Sequence, residues 1–379
     1  SRAAASSQPI HHLQAHARTQ STELPQKMAA AKPQVHIESV QTGLPTRVVE
    51  PNRTRLIAVA APPLPEAALQ RRLRAVLYYR ADGAPWEEGI WVKESLGEAL
   101  CFFPEMAGRL RRRADGSWEV KLNDAGVRFQ QATVEATLDE FLVDKDRVRK
   151  EAALAPWIDV SAEDPDMCSL LFMQLNRFQD GEYAIGVSCT ALLADPLSLT
   201  RFLLEWARIH NEMKEKNKTV LRPMMQYMAY FQRPETCCSR IRSFPIDSAA
   251  SAADGVHAQT VLFRTSAAGA DLRALAAACM RRASDDLAVD GASRFTLVVA
   301  PGDPARGATT VETSLAADGM KAGHALEAAE WSELGLEELT LRGVKPVHVS
   351  CRIVAGGDEG LVVVMPDGDG FLVTATIPK

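Results

Sequence analysis

Apolar and polar positions alternate over 34–44 (QVHIESVQTGL) and 55–61 (RLIAVAA), which predicts two short strands separated by Pro and Gly. Residues 63–80 begin with helix formers and end in a β-type run, RAVLYY. From Trp91, the apolar positions Val92, Leu96, Ala99, Leu100 and Phe103 recur at helical spacing, and Pro104 ends the pattern. Alternation returns over 116–134, where Asn123-Asp124-Ala125-Gly126 reads as a turn between two strands. Residues 168–178 and 182–189 form a second strand pair, turning at Gln179-Asp180-Gly181. After Asp195-Pro196, the positions Leu199, Phe202, Leu203, Trp206, Ile209 and Met213 mark a helix buried on one side, with 211–218 as its charged surface exit.

The stretch 230–255 lacks periodicity, and 214–255 reads as a connection between halves. Beyond it, 258–266 is a strand, 269–283 a helix with the stripe Leu272, Leu275, Ala276 and Cys279, 294–301 a strand, and 319–335 mostly helical. The chain closes in a hairpin or meander over 345–354, 360–365 and 371–377. Interleaved strands and helices in both halves predict an α/β fold.

Composition adds exclusions. With 379 residues, 46% hydrophobic and 24% charged, the chain is long enough for two domains. A net charge of −5 gives no footprint for nucleic acid or anionic membrane. Seven scattered cysteines without framework spacing read as reduced thiols in a cytoplasmic protein. No apolar run approaches the roughly 18–20 residues that span a bilayer. Residues 1–27, rich in Ser, Ala, Gln and His, read as a disordered extension or translated upstream sequence rather than a plastid signal, with Met28 as an ordinary start. His11, His12 and His16 have no ligand cluster around them, so no metal site is expected. The Met/aromatic segment 223–231 reads as helix packing, and Cys237-Cys238 as an exposed spacer.

The chemistry-bearing motifs of nucleotide-binding proteins, serine hydrolases and zincins are absent, and none of the eight histidines precedes an Asp by four residues. The most informative stretch is SCTALLADP, 188–196. A strand ends there and a helix starts, with Asp195 before Pro196 as a helix cap. The polar side chains ahead of Asp195 are Ser188, Cys189 and Thr190. His210, about four turns along that helix, reads as surface or packing.

Five blocks, in order, resemble the plant BAHD acyl-CoA-dependent acyltransferases: WVKESLGEALCFFPEMAGRLRR, VKLNDAGVRFQQATVEATLDEF, YAIGVSCTALLADPLSLTRFLLEWARI, WSELGLEELTLRGVKPVHV and GDEGLVVVMPDGDGF. The resemblance implies a two-domain fold like chloramphenicol acetyltransferase, with mixed sheets, flanking helices and a channel between domains. It sets an N-terminal domain at 28–213, a crossover at 214–255 and a shortened C-terminal domain at 256–379. It implies a monomer with no tightly bound cofactor, taking acyl-CoA as co-substrate and an alcohol or amine of a plant metabolite as acceptor. In that family a motif His removes the acceptor's proton, while a motif Asp is structural and pairs with an Arg of the second domain. Here Asp195 matches the Asp, Ala191 stands at the His position and Pro196 at the following Gly. The second motif falls on Thr340, Leu341, Arg342, Gly343 and Val344, of which only the succeeding Lys345-Pro346 agrees. Arg306 is the candidate partner of Asp195. Substitutes for the missing base are Cys189 or Ser188 as a nucleophile, and His348 reaching in from the other domain. Three readings follow: an acyltransferase with impaired or altered catalysis, an inactive accessory protein, or a fragmentary gene product without stable function. The second resembles the eceriferum-type wax proteins, which act with fatty-acid elongation at the endoplasmic reticulum.

Overall fold

A computed structural model of the chain describes residues 32–378 apart from 49–52, 61–63, 81–87, 217–239, 250–257, 267–270, 291–293, 303–306 and 316–324. Residues 1–27, segment 223–231, Cys237, Cys238 and Arg306 lie outside the described residues, as does most of 214–255.

The elements in chain order are β1 (Gln34–Gly43), β2 (Arg53–Val59), α1 (Glu66–Leu69), β3 (Arg72–Tyr79), α2 (Glu88–Leu100), β4 (Arg109–Arg112), β5 (Trp118–Leu122) and β6 (Val127–Val134). Next come α3 (Leu138–Val143), α4 (Arg147–Leu154), β7 (Leu171–Arg177), β8 (Tyr183–Thr190), α5 (Pro196–Lys216), β9 (Arg242–Pro245) and β10 (Ala258–Thr265). The chain ends with α6 (Leu272–Leu287), β11 (Arg294–Val299), β12 (Thr309–Leu315), β13 (Glu327–Ala329), β14 (His348–Val354), β15 (Gly360–Asp367) and β16 (Gly370–Pro378).

Among the described residues the strands build two mixed sheets. The first runs β14-β3-β8-β7-β6-β1-β9 and the second β13-β10-β16-β15-β11-β12-β2-β5-β4. Each sheet borrows from the other half of the sequence: β2, β4 and β5 join the second, and β14 joins the first. Strands β3 and β8 are buried at every position, so both faces of the first sheet are covered there. One face, with Leu73, Leu175, Ile185 and Cys189, shares a core with α2, α5 and one face of the second sheet. The opposite face packs against α3 and α4 through Val76, Tyr78, Phe141 and Leu154. Helix α6 covers the far face of the second sheet.

The pair β7–β8 is an antiparallel hairpin, as its pattern predicts. The turn 123–126 does lie between two strands, and it carries the chain between sheets, since β5 pairs in the second sheet and β6 in the first. Buried Arg109 holds it, donating to the carbonyls of Gly126 at 2.7 Å and Ala125 at 3.0 Å, while Gly126 N–H donates to Ala107 O at 3.0 Å. The AGRL and NDAG blocks of the sequence thus meet in one structural lock. The described part of 319–335 is not a helix: it is the edge strand β13 and a 3₁₀ turn that stops at Gly335, whose φ is 86°.

Helix α4 seats directly on β8 at Gly186, where an added Cβ would lie 1.9 Å from Leu154 O. Gly186→Ala is expected to cost about 2–3 kcal/mol, because neither backbone can yield without unseating the helix. Urea denaturation measures it, and an unchanged midpoint would show that α4 is not clamped there.

Candidate functional site

The loop that follows β8 is apolar and enclosed. Ala191, Leu192, Leu193 and Ala194 are all buried, and Thr190 O accepts from the amides of Leu193 at 3.1 Å and Ala194 at 3.2 Å. Ala191 N–H donates to Arg71 O at 2.9 Å. Asp195 caps α5: its Oδ1 accepts from Leu197 N–H at 2.8 Å and Ser198 N–H at 3.0 Å. The Ser198 hydroxyl donates to Asp195 Oδ2 at 2.6 Å. The carboxylate's acceptor capacity is thereby spent largely on the helix N-terminus, where the dipole also favours it. Asp195→Ala is expected to cost about 1–2 kcal/mol in thermal unfolding, the usual loss of such a cap.

Among the described residues, an arginine does meet this loop. Arg55 of β2, almost fully buried, donates from Nη2 to Leu193 O and to Leu192 O. Burial pulls its guanidinium pKa down, while Glu105, Cys189 and Asp195 oppose that effect. The signal in the sequence is alternation: Arg55 shares its strand face with buried Ile57, an inward position where a cation needs partners. Between this loop and the second sheet remains a cavity of about 10 Å³, lined by Arg55, Ala191, Asp195, Ser198, Val298, Ala300 and Thr309. That is room for roughly one water.

The two substitute groups are not assembled here. Cys189 is completely buried on the core face of β8, and burial pushes its thiol well above the usual range, against the opposing pull of Arg55. A thiol held protonated is not a nucleophile. Ser188 faces the other way and donates to Ala155 O at 2.9 Å. His348 pairs with Tyr78 in β14–β3, whereas Thr190 pairs with Arg72 at the other end of β3. Six residues of strand put His348 roughly 20 Å from the loop. It cannot serve as a base there.

The second-motif segment forms a two-residue turn. Leu341 and Val344 exchange both backbone hydrogen bonds at 2.9 Å, and Arg342 and Gly343 have positive φ of 54° and 79°. Helix α5 grips it through Asn211, which donates to Thr340 O at 2.7 Å and accepts from Arg342 N–H at 3.2 Å. Beside it lies a buried network that sequence reasoning missed. His210, 1% exposed and thus packed rather than surface, the second of its two expected roles, bridges Ser95 Oγ at 3.0 Å and Glu88 Oε1 at 2.8 Å. Trp206 Nε1 donates to Ser95 at 2.9 Å, and Lys214 also bonds Glu88. Burial alone would raise the Glu88 pKa, but the hydrogen bonds and charges of His210 and Lys214 prevail and hold it at about 2. Position could have exposed it, since His210 stands four residues after Trp206 on the buried stripe.

A model of the Transferase family matches residues 76–300, more than half of the chain. The chain belongs to this BAHD-type acyltransferase family. Among curated relatives of this family member, the Arabidopsis thaliana "Protein ECERIFERUM 26-like" is 32% identical over 136 residues, 36% of this chain and 32% of its own. A hydroxycinnamoyltransferase of Narcissus pseudonarcissus is 34% identical over 137 residues, 36% of this chain and 31% of its own. Agmatine hydroxycinnamoyltransferase 1 of Oryza sativa subsp. japonica is 32% identical over 117 residues, 31% of this chain and 25% of its own. The alignments therefore span a third or less of these relatives' length. Among solved structures, vinorine synthase is similar over 91% of this chain and 94% of its own, at 16% identity and a TM-score of 0.49. Among the described residues, no helix is long and apolar enough to cross a membrane, and no group of three or more His, Cys, Asp or Glu could hold a metal.

Proposed function

We propose that this BAHD-type chain is a non-catalytic accessory protein that uses the acyltransferase fold for binding, as a partner of fatty-acid elongation. The carrying observation is the surroundings of Ala191. At the position of the family's proton-abstracting His stands a methyl group, in a space of about 10 Å³. General-base catalysis contributes about 10²–10⁴-fold and needs a titratable group within hydrogen-bond reach. The depth of Cys189 and the strand register of His348 leave neither in reach. The eceriferum-like relative supports the same reading.

The test is CoA release by the full chain from a panel of acyl-CoA thioesters, with alcohol and amine acceptors, alongside calorimetry of acyl-CoA binding. No acceptor-dependent turnover is expected. Ala191→His is expected to lower stability by about 1–3 kcal/mol, because an imidazole overfills the cavity, and to restore no turnover. Acceptor-dependent release by the natural chain overturns the accessory reading, whereas release gained only by Ala191→His overturns the expectation for that variant and shows that the rest of the site is intact. A second reading, slow transfer to an amine driven by proximity, is favoured by the agmatine hydroxycinnamoyltransferase relative. Release confined to amine acceptors and unchanged in Cys189→Ala would establish it.

A further inference from the structure

On the α4 face of the first sheet, remote from the loop after β8, lies a second cavity of about 260 Å³. Its lining includes Gln130, Gln174, Trp157, Arg242, Phe244 and Ser248. Gln174, completely buried, forms the floor; Arg242 and Ser248 are exposed and mark the mouth. The volume equals that of roughly nine liquid waters.

Three polar atoms of the lining have no hydrogen-bond partner among the described residues although each is buried: Gln130 Oε1, Gln174 Oε1 and Trp157 Nε1. The orientation of Gln174 is set by its other end. Its Nε2 donates to Ala153 O at 2.9 Å and Asn176 Oδ1 at 2.6 Å, so the carbonyl oxygen is the atom left over. Buried polar atoms are normally satisfied by protein, water or ligand, and leaving each unmade costs free energy. The cavity therefore offers two carbonyl acceptors and one N–H donor that require a counterpart.

Charge narrows the counterpart. Arg242 stands at the mouth, and buried Arg72 lies over the Trp157 ring at 5.3 Å. Nearby Asp247 is engaged by Lys150 at 3.5 Å. This cationic setting disfavours an ammonium ligand and favours a carboxylate, which accepts from Trp157 Nε1–H and pairs with Arg242. Hydroxyl groups on the same molecule donate to the two glutamine carbonyls. We propose that this cavity is a binding site for a small hydroxylated carboxylate. Gln174 pairs with Gly186 in the hairpin, about 14 Å along β8 from Thr190 and on the opposite sheet face from Cys189. The site is thus separate from the family's reaction position and does not depend on it.

Calorimetry and thermal shift of the full chain test this with glycerate, malate and gluconate as probes, against propionate, succinate and glycerol. Saturable binding is expected for hydroxycarboxylates, with the deoxy acids and the neutral polyol about tenfold weaker or worse. Arg242→Gln, at an exposed side chain, is expected to weaken binding by about tenfold without changing the melting temperature of the free protein. Gln130→Leu is expected to weaken it independently. Absence of saturable binding at millimolar concentration overturns the proposal and leaves a cavity that holds water only. Binding that survives both substitutions places the ligand elsewhere and overturns it equally.

Discussion

Arg55→Leu is expected to destabilise the protein by on the order of 3 kcal/mol, the sum of two lost charge-assisted hydrogen bonds less the relief of a buried cation. Its partners, Leu192 O and Leu193 O, belong to residues only 2–3% exposed, so water cannot replace the guanidinium. Arg55→Lys is expected to recover less than half of the loss, because the lysine ammonium ends one bond short of the Nη2 that reaches both carbonyls. Urea unfolding of both variants measures this. A leucine variant within about 0.5 kcal/mol of the natural protein would mean that the apolar loop holds its conformation unaided.

The second large effect belongs to Glu88. Its carboxyl has a pKa of about 2 in the folded chain against an ordinary value of 4.5. A depressed carboxylate contributes its stability above the unfolded value and loses it as pH falls through the folded one. The contribution, on the order of 3 kcal/mol at 1.36 kcal/mol per unit, should therefore be complete above pH 4.5 and disappear toward pH 2. Glu88→Gln should lower stability at neutral pH and flatten this acid slope, since the amide does not titrate. Stability profiles from pH 7 to about 2 give the comparison. An identical acid slope in the variant would place the titrating group elsewhere. The consequence reaches the second-motif turn, because Glu88 anchors His210 and Lys214 on the same helix whose Asn211 grips Thr340 and Arg342.

Much of this was legible along the chain. Hairpin β7–β8 and helix α5 follow from local alternation and 3.6-residue periodicity, which need no distant partner to be read. The loop at 188–196 and its capping Asp195 follow from short-range chemistry of the same kind. Illegible were contacts between positions far apart in sequence. At 123–126 the turn residues specify a local bend, whereas the sheet each flanking strand joins depends on β2 and β7. His210 looked like an ordinary helix residue because its partners, Ser95 and Glu88, sit more than a hundred positions away on α2. Within the stretch 319–335 that reads as helical, Glu327, Ala328 and Ala329 instead pair as the edge strand β13 with β10, a partner distant in sequence.

The sequence by itself determined the family, the element types of most segments and the absence of a histidine from the loop before α5. Those properties rest on residue identity and local spacing. Only the tertiary structure decided that Arg55 holds that loop, that Cys189 is sealed in the core and that His348 lies at the far end of its strand. It also decided that little space remains beside Ala191. Strand order, register and burial set each of these, and they are properties of how separated segments pack rather than of any one segment.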